Sequence, residues 1–102
     1  MMQGDSYGLP IELRKDDGSL LTAEDVQEVE VTIGYLQKSL KDGSVTYESD
    51  CWIAELSQEE TFKLPATYIP IQVRVMWKSG DVEGLDLGMH KIDESLSRRV
   101  LK

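Results

Sequence analysis

Ile71-Gln72-Val73-Arg74-Val75-Met76-Trp77 alternates apolar and polar or longer side chains with a period of two. That period predicts a strand with one face on a core and the other toward water. The same pattern recurs upstream. Val29, Val31, Ile33 and Tyr35 alternate with Glu28, Glu30, Thr32 and Gly34, and Tyr7, Leu9, Ile11 and Leu13 alternate with Ser6, Gly8, Pro10, Glu12 and Arg14. Pro10 has no N–H for a ladder, so its strand should lie at a sheet edge or carry a bulge. Downstream, Lys78-Ser79-Gly80-Asp81 turns the chain into a strand over residues 82–89, and Ile92 continues apolar after an irregularity.

Between these runs the punctuation is local. Lys15-Asp16-Asp17-Gly18-Ser19 reads as a turn, and Lys41-Asp42-Gly43-Ser44 reads as a hairpin because Asp-Gly suits tight primed turns. Val45, Tyr47, Trp52, Ala54 and Leu56 predict one long interrupted strand or two short ones. Ser57-Gln58-Glu59-Glu60 is a capping box that opens a helix of about two turns, stopped by Pro65. Thr22-Ala23-Glu24-Asp25 is a weaker version with Asp at the reciprocating position. Six or seven short strands at near-regular spacing predict an all-β antiparallel sandwich with one or two short helical turns. A small barrel is the alternative, since pattern alone does not say whether a sheet closes.

The 102 residues suit a single domain, and no linker divides residues 1–102. With 40% hydrophobic and 29% charged residues the composition is globular. Cys51 is the one cysteine, which rules out an internal disulfide framework. Met1-Met2-Gln3-Gly4-Asp5-Ser6 lacks the basic and apolar segments of a signal peptide, and no apolar run approaches the ~18–20 residues that span a bilayer. The expectation is a protein cytoplasmic on synthesis, with no membrane insertion.

The net charge of −8 is uneven: residues 1–60 hold fourteen acids and four bases (−10), and residues 61–102 hold five acids and seven bases (+2). A net negative chain without an aromatic-basic patch repels phosphate backbones, so nucleic acid is not an expected partner. The asymmetry reads either as a solvated acidic surface or as complementarity between copies.

Residues for catalysis are few. His90 is the sole histidine, and nothing near it marks a strained nucleophile turn. Cys51 follows Glu48, Ser49 and Asp50, with no basic sequence neighbour to activate it. One Cys and one His do not make a zinc site, and the Asp16-Asp17-Gly18 and Asp42-Gly43 segments lack the ligand ladder of a calcium loop. No phosphate cradle is present, since Lys78-Ser79-Gly80 leads into a strand. No catalytic residue, cofactor or metal is expected. Trp52 and Trp77 share faces with smaller apolar residues and are expected in the core, while Tyr68 is either a loop anchor or a partner-facing aromatic.

Leu56-Ser57-Gln58-Glu59-Glu60-Thr61, then Pro70-Ile71-Gln72-Val73-Arg74-Val75, Ser79-Gly80-Asp81-Val82 and Glu94-Ser95-Leu96-Ser97 resemble a known pattern. Together they resemble the immunoglobulin-like N-terminal domain of phage baseplate upper proteins and related small tail-module proteins of phages and prophages of Gram-positive bacteria. The resemblance covers residues 26–101 and implies an immunoglobulin-like sandwich of about seven strands. It further implies a non-enzymatic structural or accessory role, tail- or baseplate-associated, acting through protein partners or other copies of the chain, with virion association. In the baseplate protein this domain heads a longer chain, so roles of the downstream parts are not expected here.

Within that reading, the tail Leu96-Ser97-Arg98-Arg99-Val100-Leu101-Lys102 is the candidate partner contact. Leu96, Val100 and Leu101 supply apolar surface, and Arg98 and Arg99 supply charge for an acidic, partly apolar neighbour. A final strand or frayed end is the competing view of the tail. The competing function is a carbohydrate- or other ligand-binding sandwich, which needs exposed aromatics.

Overall fold

Seven strands form, and each alternating run finds a partner sheet. The computed structural model describes residues 1–101. In chain order these are β1 (Tyr7–Ile11), a 3-10 turn (Ala23–Asp25), β2 (Val26–Ile33), β3 (Leu36–Ser39), β4 (Val45–Glu48) and β5 (Cys51–Leu56). The helix α1 (Gln58–Lys63) follows, then β6 (Tyr68–Trp77) and β7 (Val82–Lys91). They make two antiparallel sheets, ordered β1-β5-β4 and β3-β2-β6-β7. The pairs β2–β3, β4–β5 and β6–β7 are hairpins, while the β1–β2, β3–β4 and β5–β6 connections cross between sheets. This is an immunoglobulin-like sandwich without its first strand: β1-β5-β4 take the places of B-E-D, and β3-β2-β6-β7 those of C′-C-F-G.

The two inner faces meet in one core. Val29, Val31 and Ile33 of β2 and Ile71, Val73 and Val75 of β6 face Leu9, Ile11, Trp52, Ala54 and Leu56 of the smaller sheet, all nearly water-free. Each valine, leucine or isoleucine among them stabilises the fold by roughly 1.5–3 kcal/mol through area removed from water. Trp52 is the largest of them at 1% exposure, and its Nε1–H donates to the Leu21 carbonyl at 3.0 Å. That bond satisfies the indole's polar atom inside an apolar layer. Trp77, at the end of β6, is only partly buried against the cluster.

The helical punctuation forms as expected. Ser57 Oγ accepts from the Glu60 N–H at 3.2 Å and Glu60 Oε1 accepts from the Ser57 N–H at 3.0 Å. The helix then ends at Leu64, before Pro65. At the weaker box, Asp25 Oδ2 accepts from the Thr22 N–H at 2.9 Å, and only a 3-10 turn results.

Two local expectations change. Asp42-Gly43 does not close a hairpin, because β3 and β4 belong to different sheets; it carries the chain from one layer to the other. Ser44 Oγ and N–H both bond Asp42 Oδ1, an Asx turn that needs no ladder beyond it. The β2–β3 hairpin instead turns at Gly34-Tyr35, so Tyr35 leaves the strand, stands exposed, and donates from its hydroxyl to the Lys63 carbonyl at 2.9 Å. Of the two readings for residues 45–56, two short strands form, joined through Ser49 and Asp50 at φ of 49° and 64°.

Candidate functional site

Among the described residues four strands lie at sheet edges, and three of them are both short and guarded. Pro10 sits in β1, removing one backbone donor from that edge. β4 is only four residues long. β3 points Lys38 inward, where Nζ hydrogen-bonds and ion-pairs with the Glu60 carboxylate on α1. Short edges, proline and inward charges are the usual defences of a sheet against adding another strand.

β7 is different. It runs ten residues, and nine of them are exposed, with His90 half-buried. The smaller sheet has three strands and the larger has four, and β7 is left beyond the cover. Register shows which side chains this strands. Leu85 stands opposite buried Val73, and Glu83 opposite buried Val75, so both share the core-side face. Leu85 is nevertheless 36% exposed and Leu87 42%, while Val82 and Met89 reach 53% and 60%.

One irregularity interrupts the strand. Pro70 pairs with Met89 and Gln72 with Asp86, so Leu87 and Gly88 together stand opposite Ile71. Gly88 holds φ at 81°, a conformation that glycine adopts without strain, and its N–H bonds Asp86 Oδ1 at 2.8 Å. The irregularity expected before Ile92 is this bulge, and beyond it Ile92 returns to the core at 1% exposure.

On the other face of the same sheet, Glu30, Thr32, Gln72, Arg74, Gly84 and Asp86 line a depression of about 280 Å³. An added Cβ at Gly84 would meet nothing within 4 Å. No aromatic residue lines this depression. Arg74 makes no ion pair among the described residues.

The tail lies elsewhere, folded against the N-terminal segment and α1. Arg98 Nη1 donates to Gln3 Oε1 at 2.8 Å, and the guanidinium sits 5.2 Å from the Phe62 ring centroid. Leu101 is 72% exposed, yet its N–H and carbonyl both bond the Gln58 side chain. Val100 is half-buried, Arg99 is exposed, and Leu96 is 99% exposed. Lys102 is outside the described residues. The five candidate residues therefore divide: Arg98 serves the fold, and Leu96 and Arg99 face solvent. The segment is neither a strand of either sheet nor free of the domain.

Gln3 organises this corner. It is 93% removed from solvent, with Nε2 donating to the Leu64 carbonyl at 2.7 Å and Oε1 accepting from the Ser95 N–H at 3.3 Å. Gly4 approaches Phe62 so closely that a Cβ there would lie 2.6 Å from Cζ.

The titratable groups singled out in the sequence are dispersed. Burial, then the positive chain terminus, lowers the pKa of His90 at the end of β7. Cys51 is half-buried, with Sγ 3.7 Å from the Ile11 carbonyl. Among the described residues no group of three or more His, Cys, Asp or Glu side chains is placed to hold a metal ion. Among the described residues no helix is long and apolar enough to cross a membrane. Tyr68 stands 58% exposed, which settles it as a surface aromatic and not a buried anchor.

Comparison with protein-family models, with curated proteins and with solved structures finds no match for this chain.

Proposed function

We propose that the chain is a non-enzymatic structural or accessory component of a phage or prophage tail or baseplate, working by protein–protein contact along β7. The observation that carries the contact is the ten-residue edge strand exposing Val82, Leu85, Leu87 and Met89, where the other edge strands are no longer than five residues. An open edge offers a row of unpaired N–H and C=O groups, and the apolar side chains give a partner something to bury. The tail-module setting is supported by the motif resemblance over residues 26–101. Leu96 and Arg99, both exposed, are further surface that a neighbouring subunit in such an assembly would meet.

The test is to induce a lysogen carrying the gene, purify the particles and probe them with antibody against the chain. The reading expects the chain to co-purify in fixed stoichiometry with tail proteins, and its gene to lie among tape-measure, tail-fibre or lysis genes. Particles lacking the chain would overturn the assignment.

A further inference from the structure

Resting on the reading of β7 as a contact edge, we propose that its partner is a second copy of this chain. Two β7 strands pair antiparallel about a two-fold axis through Asp86, joining the two larger sheets into one.

The register follows from which side chains share a face. Ahead of the bulge, Glu83, Leu85 and Leu87 lie on the core-side face and Val82, Gly84 and Asp86 on the other. Beyond it the parity reverses: His90, opposite buried Ile69, is core-side, and Met89 and Lys91 are on the outer face. A strand added in the plane of a sheet must match face to face across the new ladder. With Asp86 on the axis, Glu83 falls opposite His90 of the second copy, and Leu85 opposite Leu87, with Gly88 as the extra residue. On the outer face, Val82 falls opposite Lys91, and Gly84 opposite Met89.

The chemistry of those pairs selects this partner. β7 is acidic at its start (Glu83, after Asp81) and carries its one cation, Lys91, at its end. Antiparallel self-pairing therefore brings the acidic start of one strand toward the Lys91 end of the other and lets the Glu83 carboxylate accept from the His90 imidazole; parallel pairing would set like ends together. The pairs Leu85–Leu87 and Leu87–Leu85 form an apolar centre between the two Glu83–His90 pairs. Met89, the most exposed apolar residue of the strand, meets the empty space above Gly84. The Asp86 pair on the axis opposes association; the two Arg74 side chains, unpaired and lining the same depression as Asp86, offset it.

One strand pair buries less than the ~1,200 Å² of a standard stable complex, so monomer and dimer should exchange at micromolar concentrations. Sedimentation equilibrium of the purified chain, from low micromolar to millimolar, is the test. Wild type should reach twice the 11.5 kDa chain mass. Leu85→Lys and Glu83→Lys should each weaken association by about tenfold or more, since each change occurs twice per dimer. Asp86→Asn should strengthen it, and Leu96→Lys, distant from β7, should leave it unchanged. All four positions are exposed, so circular dichroism should report folded chains throughout. A chain of monomer mass at every concentration, or a dimer indifferent to Leu85→Lys and Glu83→Lys, overturns the self-pairing. Either result leaves particle association to be judged by its own experiment.

Discussion

Gln58 and Leu101 hold each other by two hydrogen bonds: Nε2 donates to the Leu101 carbonyl at 2.8 Å, and the Leu101 N–H donates to Oε1 at 2.9 Å. A side-chain amide thereby takes the place of a neighbouring strand, and the C-terminal segment is fixed to α1 without joining a sheet. Gln58→Ala removes both bonds at an exposed site. We expect stability to fall by no more than ~1 kcal/mol. Cleavage by trypsin after Arg98 and Arg99 should accelerate markedly, with the rest of the domain intact. Unchanged cleavage would mean that Arg98, Gln3 and Phe62 suffice to hold the tail.

Ending the chain after Ser95 tests the tail more severely. The core residues all precede it, Ile92 being the last, so cooperative unfolding and the near-ultraviolet signal of Trp52 should persist. Gln3 loses one of its partners, Arg98, and keeps Leu64 and Ser95. A loss of about 1 kcal/mol, roughly 4–8 °C in Tm, is expected. If β7 is the contact edge, association also survives this truncation.

Lys38 and Glu60 are coupled unequally. Burial works to raise the Glu60 carboxyl, but the Lys38 hydrogen bond, the Ser57 N–H and the Lys38 charge outweigh it and hold the pKa below 4.5. Lys38→Met should alter stability by less than ~1 kcal/mol, since the aliphatic stem is kept and Glu60 still caps α1. Glu60→Ala should cost ~1–3 kcal/mol, because it removes the cap and leaves the inward Lys38 without its partner. A group whose pKa falls on folding adds stability above its unfolded pKa and loses it as pH drops through the folded one. Urea midpoints of wild type and Glu60→Gln should therefore differ most above about pH 4.5 and converge below it.

Trp52→Phe keeps the apolar layer but deletes the indole donor, leaving the Leu21 carbonyl without that bond and a small void beside it. Chemical denaturation should record a loss of ~2–4 kcal/mol. In the wild type, Trp52 should emit as a buried indole and resist quenching by iodide, while partly buried Trp77 is quenched.

Much of the sandwich was legible because half-buried strands announce themselves. In β6 every second side chain, Ile69 through Val75, enters the core, and its alternation is the clearest in the chain. The Ser57 box was legible because all its partners lie within four residues. What period two could not convey is how wide the opposing sheet is. Leu85 and Leu87 alternate like core residues and point to the core side, yet they stand in water because no strand lies over β7. Nor could it assign a turn to a layer. Asp42-Gly43 has hairpin chemistry but joins two sheets, while the true hairpin at Gly34-Tyr35 and the Ser49-Asp50 turn lack that dipeptide. The tail was singled out for its apolar and basic residues. Its anchoring rests on Gln3 and Gln58, more than forty positions away, which no local pattern reveals.

The most direct test of β7 as a self-complementary edge is amide hydrogen exchange along Val82–Lys91 in dilute and in concentrated solution. The outward-facing N–H groups of β7 should exchange quickly when dilute and become protected on concentration, with β3 and β4 unchanged. Fast β7 exchange at every concentration, or protection that appears on another edge, would contradict the account.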